Sequence, residues 1–231
     1  MQTRILRSVI NVNRLPMNTN QLVIALTKGR ILEEVLPLFE QANIVPSEDI
    51  SKSRKLIFDT NLSNVKIMVI RGSDVPTYVE FGSADIGVVG KDLIMEHGSE
   101  GFYEPLDLKI AECRIMTAEP VKAPVRSGRL KVATKFTNIA KQYFAEQGQQ
   151  IELIKLNGAL ELAPAMGLAD SIVDIVDTGK TLKANGLEAK EVIAHISSRV
   201  IVNKASMKIK NSIIRDVLRK LNKALDDKIQ N

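Results

Sequence analysis

Leu22-Val23-Ile24-Ala25-Leu26, then Thr27-Lys28-Gly29-Arg30, then Ile31-Leu32-Glu33-Glu34-Val35-Leu36-Pro37-Leu38-Phe39 place two hydrophobic periods side by side. The first run is short, continuous and apolar, the pattern of a buried strand. After Gly29 the apolar residues Leu32, Val35, Leu36 and Phe39 recur at helical spacing, so a helix is expected from about Arg30 to Ala42, with Pro37 kinking it or ending it early. Strand, glycine turn and helix in that order are the grammar of an α/β protein.

The same grammar continues outward from this unit. Strands are expected near Leu56–Phe58 and Val65–Ile70, a short helix over Pro76–Phe81, a buried strand at Asp85–Gly90 and a helix over Asp92–His97. A strand over Ile110–Met116 leads into a loop with Pro120, Pro124 and Gly128, the best break in the chain. Beyond it a second series reads Leu130–Thr134 strand, Asn138–Gln147 helix, Ile151–Leu156 strand, Leu160–Leu168 helix, Ile172–Val176 strand and Thr178–Asn185 helix. A strand-like stretch over Val192–Val202 precedes one long amphipathic helix with Ile209, Ile213, Val217, Leu221 and Leu225 on one stripe. Two α/β lobes with a cleft between them follow from this order, and ligands of such folds sit in the cleft.

Composition narrows the function classes. The chain has 231 residues, 45% of them hydrophobic, enough for a core without disulfides or structural metal, and its single cysteine, Cys113, points to a reducing compartment. The net charge of +5 lies at the ends: residues 204–231 carry eight Lys/Arg against three Asp, and residues 1–20 carry three Arg and no acid, which leaves the body net negative by three. That distribution excludes a nucleic-acid footprint over the body, and the basic C-terminal helix lacks interleaved aromatics. No run reaches a membrane span, Asn11, Asn13 and Asn20 interrupt any signal-like stretch, and residues 1–20 are expected to be a flexible extension, with Met17 a possible start.

The strongest chemical signal is Asp174-Ile175-Val176-Asp177-Thr178-Gly179-Lys180-Thr181, where a buried strand ends and a helix begins. Gly179 allows a tight turn, Thr178 and Thr181 offer hydroxyls, the first helical N–H groups lack intrahelical acceptors, and Lys180 adds one cation: together a phosphate cradle. Asp174 and Asp177 would repel a phosphate but suit ribose hydroxyls or magnesium, so the guest reads as a ribose 5-phosphate. A simple helix cap is the competing reading, though a cap needs one polar residue and this stretch has several. Neither Walker A nor GxGxxG spacing is present.

These residues, with Leu26-Thr27-Lys28-Gly29-Arg30, Arg71 and Asp74-Val75-Pro76, Ala84-Asp85-Ile86-Gly87-Val88-Val89-Gly90, Asn157-Gly158-Ala159-Leu160-Glu161-Leu162-Ala163-Pro164 and Asp174 through Gly186, resemble the short form of ATP phosphoribosyltransferase from about Leu22 to Leu221. The one departure is Ala159-Leu160 where the family has serine and valine. The resemblance implies a two-lobe fold like the type II periplasmic binding proteins with two crossing strands: lobe I over 21–110 plus 196–231, lobe II over 111–195. It implies a cytoplasmic pentosyltransferase that joins adenine N1 of ATP to C1′ of phosphoribosyl pyrophosphate, releases pyrophosphate, requires Mg2+ and opens histidine biosynthesis. Expected partners are a second catalytic chain and a regulatory subunit resembling histidyl-tRNA synthetase, in a histidine-inhibited hetero-octamer, with no nucleic acid and no membrane.

Roles follow from the resemblance and the chemistry. Displacement at an anomeric carbon needs a held ribose and a neutralised leaving group more than a protein nucleophile. Arg30 is assigned to the leaving pyrophosphate and Arg54 beside it, an ordinary surface cation being the alternative for Arg54. Lys28, Glu161, Asp174, Asp177, Thr178, Gly179, Lys180 and Thr181 are assigned to phosphoribosyl pyrophosphate, with Glu161 alternatively a helix-start acid. Arg71 and Asp92 are assigned to ATP, or Arg71 pairs with Asp74. Magnesium is expected to be held mainly by substrate phosphates. His97, His195 and Cys113 are read as structural, and a non-catalytic two-lobe binding or sensing module is the alternative to an enzyme.

Overall fold

Leu22, Ile24 and Leu26 point to one side of the first strand and Val23 and Ala25 to the other, and both sides are covered. The computed structural model describes residues 21–98, 100–122 and 128–230, so the expected extension 1–20 and Pro124 lie outside the described residues. The chain runs β1 (Leu22–Thr27), α1 (Arg30–Gln41), β2 (Ile57–Asp59), β3 (Val65–Ile70), a 3-10 turn at Gly72–Asp74, α2 (Val75–Glu80), β4 (Ile86–Gly90), α3 (Lys91–His97) and β5 (Phe102–Asp107). It continues as β6 (Cys113–Pro120), β7 (Leu130–Thr134), α4 (Thr137–Glu146), β8 (Ile151–Lys155), α5 (Leu162–Ala165), β9 (Ser171–Val176), α6 (Lys180–Ala184) and β10 (Leu187–Ile196). Last come β11 (Ser198–Asn203), α7 (Lys204–Ile209) and α8 (Asn211–Gln230).

Two sheets result, giving the α/β, two-lobe architecture. The first has six strands in the order β2-β3-β1-β4-β11-β5, with β1, β3 and β4 parallel; the second has five in the order β10-β6-β9-β7-β8, with β7, β8 and β9 parallel. The chain leaves the first sheet after β5 and returns to it at Ser198, so β11 inserts antiparallel between β4 and β5. One face of the first sheet buries Leu22, Ile24 and Val88 against Val35 and Phe39 of α1 and Val217 and Leu221 of α8; the other buries Ala25, Val89 and Ile201 against Val75 and Val79 of α2. In the second sheet Ile172 packs with Leu160, Ala163 and Leu182, while Val132 and Val173 pack against Ile139 and Phe144 of α4.

Several local expectations change. The helix α1 passes through Pro37 without ending, and the long C-terminal helix is broken at Lys210 into α7 and α8. Lys210 leaves the helical path because its ammonium turns inward, 2.9 Å from Asp85 Oδ1 and 2.6 Å from the Gln21 carbonyl. The buried stripe of α8 is consequently Ile214, Val217, Leu221, Ala224 and Leu225, with Ile209 exposed and Ile213 only partly buried. Val192–Val202 is two strands in different sheets, Ile110–Met116 begins at Cys113 and extends to Pro120, and the Leu160–Leu168 helix shrinks to the single turn α5. The helix expected from Thr178 starts at Lys180, because Gly179 at φ 72 sits in the left-handed region that glycine enters freely. Strand β5 was not anticipated.

Candidate active site

The carboxyl ends of the parallel strands converge on the space between the sheets, where side chains of open α/β folds meet ligands. Strand β1 runs into Lys28-Gly29-Arg30, β3 into Arg71, β4 into Asp92, β7 into Lys135 and β9 into Asp177. Arg54 reaches the same edge by another route: β2 is antiparallel to β3, with Ile57 opposite Met68, so the residues before β2 lie beside the carboxyl end of β3.

At the centre, lobe I supplies Asp92 and lobe II supplies Lys135 and Asp174. Asp92 is buried at the start of α3, and a Cβ at Gly90 would sit 2.2 Å from its Oδ1, so the carboxylate occupies space that only glycine leaves open. Burial pushes the Asp92 carboxyl above its ordinary value of 3.8, Asp174 adds to the push, and the Leu93 N–H and Lys135 oppose it. Lys135 Nζ lies 3.3 Å from Asp174 Oδ1 and 4.8 Å above the Phe136 ring, while that buried oxygen accepts no hydrogen bond. Burial, and next to it Asp92, pushes the neighbouring Cys113 thiol up to about 11, which keeps it protonated and non-nucleophilic at neutral pH.

Asp177-Thr178-Gly179-Lys180-Thr181 forms the wall of a pocket of about 180 Å³ that Glu161 and Asp174 also line. Thr178, Lys180 and Thr181 are exposed, and the first N–H groups of α6 have no intrahelical acceptors. Glu161 stands at the start of α5 without a side-chain cap bond, so its carboxylate is not consumed by the helix. From across the cleft Arg30 Nη1 reaches Asp177 Oδ2 at 3.0 Å, while Arg30 Nε pairs with Glu34 at 2.7 Å and Arg114 Nη2 donates to the Asp177 carbonyl at 3.3 Å. The Arg30–Asp177 pair is exposed on both sides and worth about 0–1 kcal/mol, so an incoming phosphate can replace Asp177 as the partner of the guanidinium.

Arg71, Ser73, Lys135, Lys155 and Asn157 surround a second pocket of about 680 Å³ on the α3–α4 side of the cleft. Arg71 makes no ion pair with Asp74, whose carboxylate instead accepts the Ser73 hydroxyl at 3.1 Å. Lys28 is exposed on the β1–α1 turn. Arg54 is exposed, lines neither pocket and makes no ion pair among the described residues. His97 bonds Glu80 at 2.7 Å and stacks on Phe102, and His195 is exposed on β10. A larger cavity of about 840 Å³ lies at the opposite end of the second sheet, beside Leu130 and Ser171 where β7 and β9 begin, and holds none of the candidate residues.

Lys135, Arg114, Glu34 and Glu96 escaped the reading of the sequence. Lys135 had a signal, since it follows a parallel strand as Arg71 and Asp177 do; the others had none. Glu96 on α3 accepts the Asn138 and Ile139 N–H groups at 2.9 and 3.1 Å and the Thr137 hydroxyl at 3.1 Å, so a lobe I carboxylate caps the lobe II helix α4.

Over most of its length the chain is similar to known proteins of one family. Residues 71–223 match the family HisG: ATP phosphoribosyltransferase. An ATP phosphoribosyltransferase of Saccharophagus degradans is 64% identical over 209 residues, 90% of this chain and 98% of the relative. One of Pseudomonas aeruginosa is 59% identical over 205 residues, 89% and 97% of the two chains. A chain of the solved ATP phosphoribosyl transferase (HisG:HisZ) complex from Thermotoga maritima superimposes with a TM-score of 0.79 at 32% identity, covering 90% of this chain and 100% of that one. The periplasmic aliphatic sulphonate binding protein SsuA from Escherichia coli gives a TM-score of 0.54 at 17% identity over 89% and 72%, a likeness of fold alone.

Proposed function

The chain belongs to the HisG family of ATP phosphoribosyltransferases, pentosyltransferases that carry out the first step of histidine biosynthesis, and from that premise we propose how its residues divide the work. The observation that carries the reading is the Arg30–Asp177 contact of 3.0 Å, which puts a lobe I cation against the lobe II cradle. The 5′-phosphate of phosphoribosyl pyrophosphate sits on Thr178, Gly179, Lys180 and Thr181. Glu161, Asp174 and Asp177 take the ribose hydroxyls, and Lys28, Arg30 and Arg54 face the pyrophosphate. ATP occupies the pocket of Arg71, and Asp92, which precedes the Leu93 that lines that pocket, is assigned to ATP with it.

Adenine N1 attacks C1′ with its own lone pair as the C1′–oxygen bond breaks and its electrons leave with pyrophosphate, so no protein base is needed before attack. Arg30 meets charge that grows on the leaving group, which is where a fixed guanidinium lowers the barrier. No group of three or more His, Cys, Asp or Glu side chains among the described residues could hold a metal. Asp174, whose buried oxygen accepts no hydrogen bond but faces Lys135 Nζ at 3.3 Å, would offer a magnesium ion one carboxylate and only by releasing Lys135, so substrate phosphates would hold most of the metal. When bound, magnesium neutralises phosphate charge.

Lobe I comprises 21–110 plus 196–231 and lobe II 111–195, and closure of one on the other brings Arg30 and the cradle onto the same substrate. A second catalytic chain and a regulatory subunit of the HisZ kind complete a histidine-inhibited hetero-octamer in the cytoplasm; the Thermotoga maritima complex supports that partner. Among the described residues no helix is long and apolar enough to cross a membrane. The non-catalytic alternative has only the fold likeness to SsuA behind it.

Purified chain with its partner, ATP, phosphoribosyl pyrophosphate and magnesium should release pyrophosphate and form N1-ribosylated ATP; no turnover at high enzyme concentration would refute the reading. Thr178→Ala with Thr181→Ala should weaken phosphoribosyl pyrophosphate far more than ATP, by about 1.5–3 kcal/mol per charge-assisted bond lost. Equal weakening of both ligands in titration calorimetry would remove the cradle assignment.

A further inference from the structure

The Arg30 guanidinium is held from two sides. Its Nε donates to Glu34 Oε1 at 2.7 Å, one turn along α1, and its Nη1 points into the cleft toward Asp177. An i,i+4 pair on a helix surface is commonplace and weak. Glu34 differs because its second oxygen is also committed: Oε2 accepts the Ala111 N–H at 2.7 Å, 77 positions along the chain in the segment that crosses from β5 to β6. Ala111 and Lys109 in that segment both stand at φ 49, a left-handed setting unusual for non-glycine residues, so the N–H is presented by a tightly shaped turn. Burial alone would raise the Glu34 carboxyl, but the Ala111 N–H and Arg30 outweigh it and hold it below its ordinary value of 4.5, charged at neutral pH.

We propose that Glu34 is a positioning residue: by gripping Nε while anchored to the interlobe crossing, it aims the Nη groups of Arg30 at the leaving pyrophosphate and ties that aim to the angle between the lobes. The inference rests on the reading of Arg30 as the leaving-group cation. Glu34 touches no substrate. Its work is to remove the rotational freedom of a long side chain whose far end is otherwise exposed, and to leave free the edge of the guanidinium that matches a phosphate. If the lobes close about the crossing, Ala111 moves, and Glu34 moves the arginine with it.

The test compares Glu34→Gln, Glu34→Asp, Arg30→Ala and the double variant Arg30→Ala/Glu34→Gln in the full catalytic chain with its regulatory partner. Glutamine has the size of glutamate but one acceptor for two donors. Glu34→Gln is expected to lower kcat by about tenfold or more and to weaken inhibition by inorganic pyrophosphate, with KM for ATP within about threefold and the melting temperature nearly unchanged. In the double-variant cycle the two losses should not add, because Glu34 acts through Arg30. An unchanged kcat in Glu34→Gln, or a loss that adds fully to that of Arg30→Ala, overturns the proposal. Should the glutamine variant fail to fold, Glu34→Asp keeps the charge but cannot span both partners, and wild-type kcat there overturns it as well. Arg30→Ala with normal kcat and normal pyrophosphate inhibition overturns the Arg30 reading itself, and this one with it.

Discussion

Asp92 and Asp177 are carboxylates of one cleft in opposite settings, the first buried and the second more than half exposed at 58%. Because burial raises the Asp92 carboxyl in the folded chain, the unfolded chain ionises first as pH climbs past 3.8, and stability falls until the folded group has ionised too. Asp92→Asn removes that loss. Its melting temperature relative to the parent should therefore rise across the acid range and level off above it; a difference that is flat with pH would contradict the assigned burial cost. The motif residues could be read one by one where chemistry made them conspicuous, as in Asp174 through Thr181. Lys135 was less conspicuous because a lysine after a strand is also an ordinary surface residue until the fold brings Asp174 to it. Glu34 and Glu96 were illegible, since each acts on a backbone N–H distant in sequence, Ala111 for one and Asn138 for the other.

At the scale of elements, α7 and α8 owe their junction to the Asp85–Lys210 pair. Both side chains are at least nine-tenths buried, and Asp85 also accepts the Ser206 hydroxyl at 2.6 Å and the Val23 N–H at 2.9 Å. Lys210→Met strands that carboxylate and should cost about 3–5 kcal/mol in urea unfolding. A loss near zero would mean that the two remaining donors suffice. The α/β alternation was legible because β1, β3, β4, β7 and β9 are short apolar runs next to helical periods. Strand β5 was not: Phe102-Tyr103-Glu104-Pro105-Leu106-Asp107 contains a proline and shows no clean alternation of burial, which an edge strand tolerates. The two strands from Leu187 to Asn203 merged in the sequence because apolar residues continue on both sides of the crossing, with only His195, Ser197, Ser198 and Arg199 polar between Val192 and Val202.

For the whole molecule, the lobes meet through few but specific contacts, and Glu96 on the start of α4 is the most heavily bonded of them. Glu96→Ala should leave either sheet intact but expose the Asn138 and Ile139 amides, so their hydrogen exchange should accelerate while that of β7 and β9 does not change. Equal acceleration throughout lobe II would instead mark Glu96 as a general stabiliser. The placement of β11 carries a further consequence, for the order in which the protein is made. Strand β5 touches its own sheet only through β11, whose partners β4 and β5 precede it by roughly a hundred residues of chain. During synthesis the first sheet must wait, with an open edge at β4, until the whole second sheet has left the ribosome, whereas the second can close on itself as soon as β10 emerges. In refolding followed by pulsed hydrogen exchange, protection in β6, β7 and β9 should precede protection in β5 and β11; newborn chains halted before Ser198 would carry a finished cradle facing half a cleft.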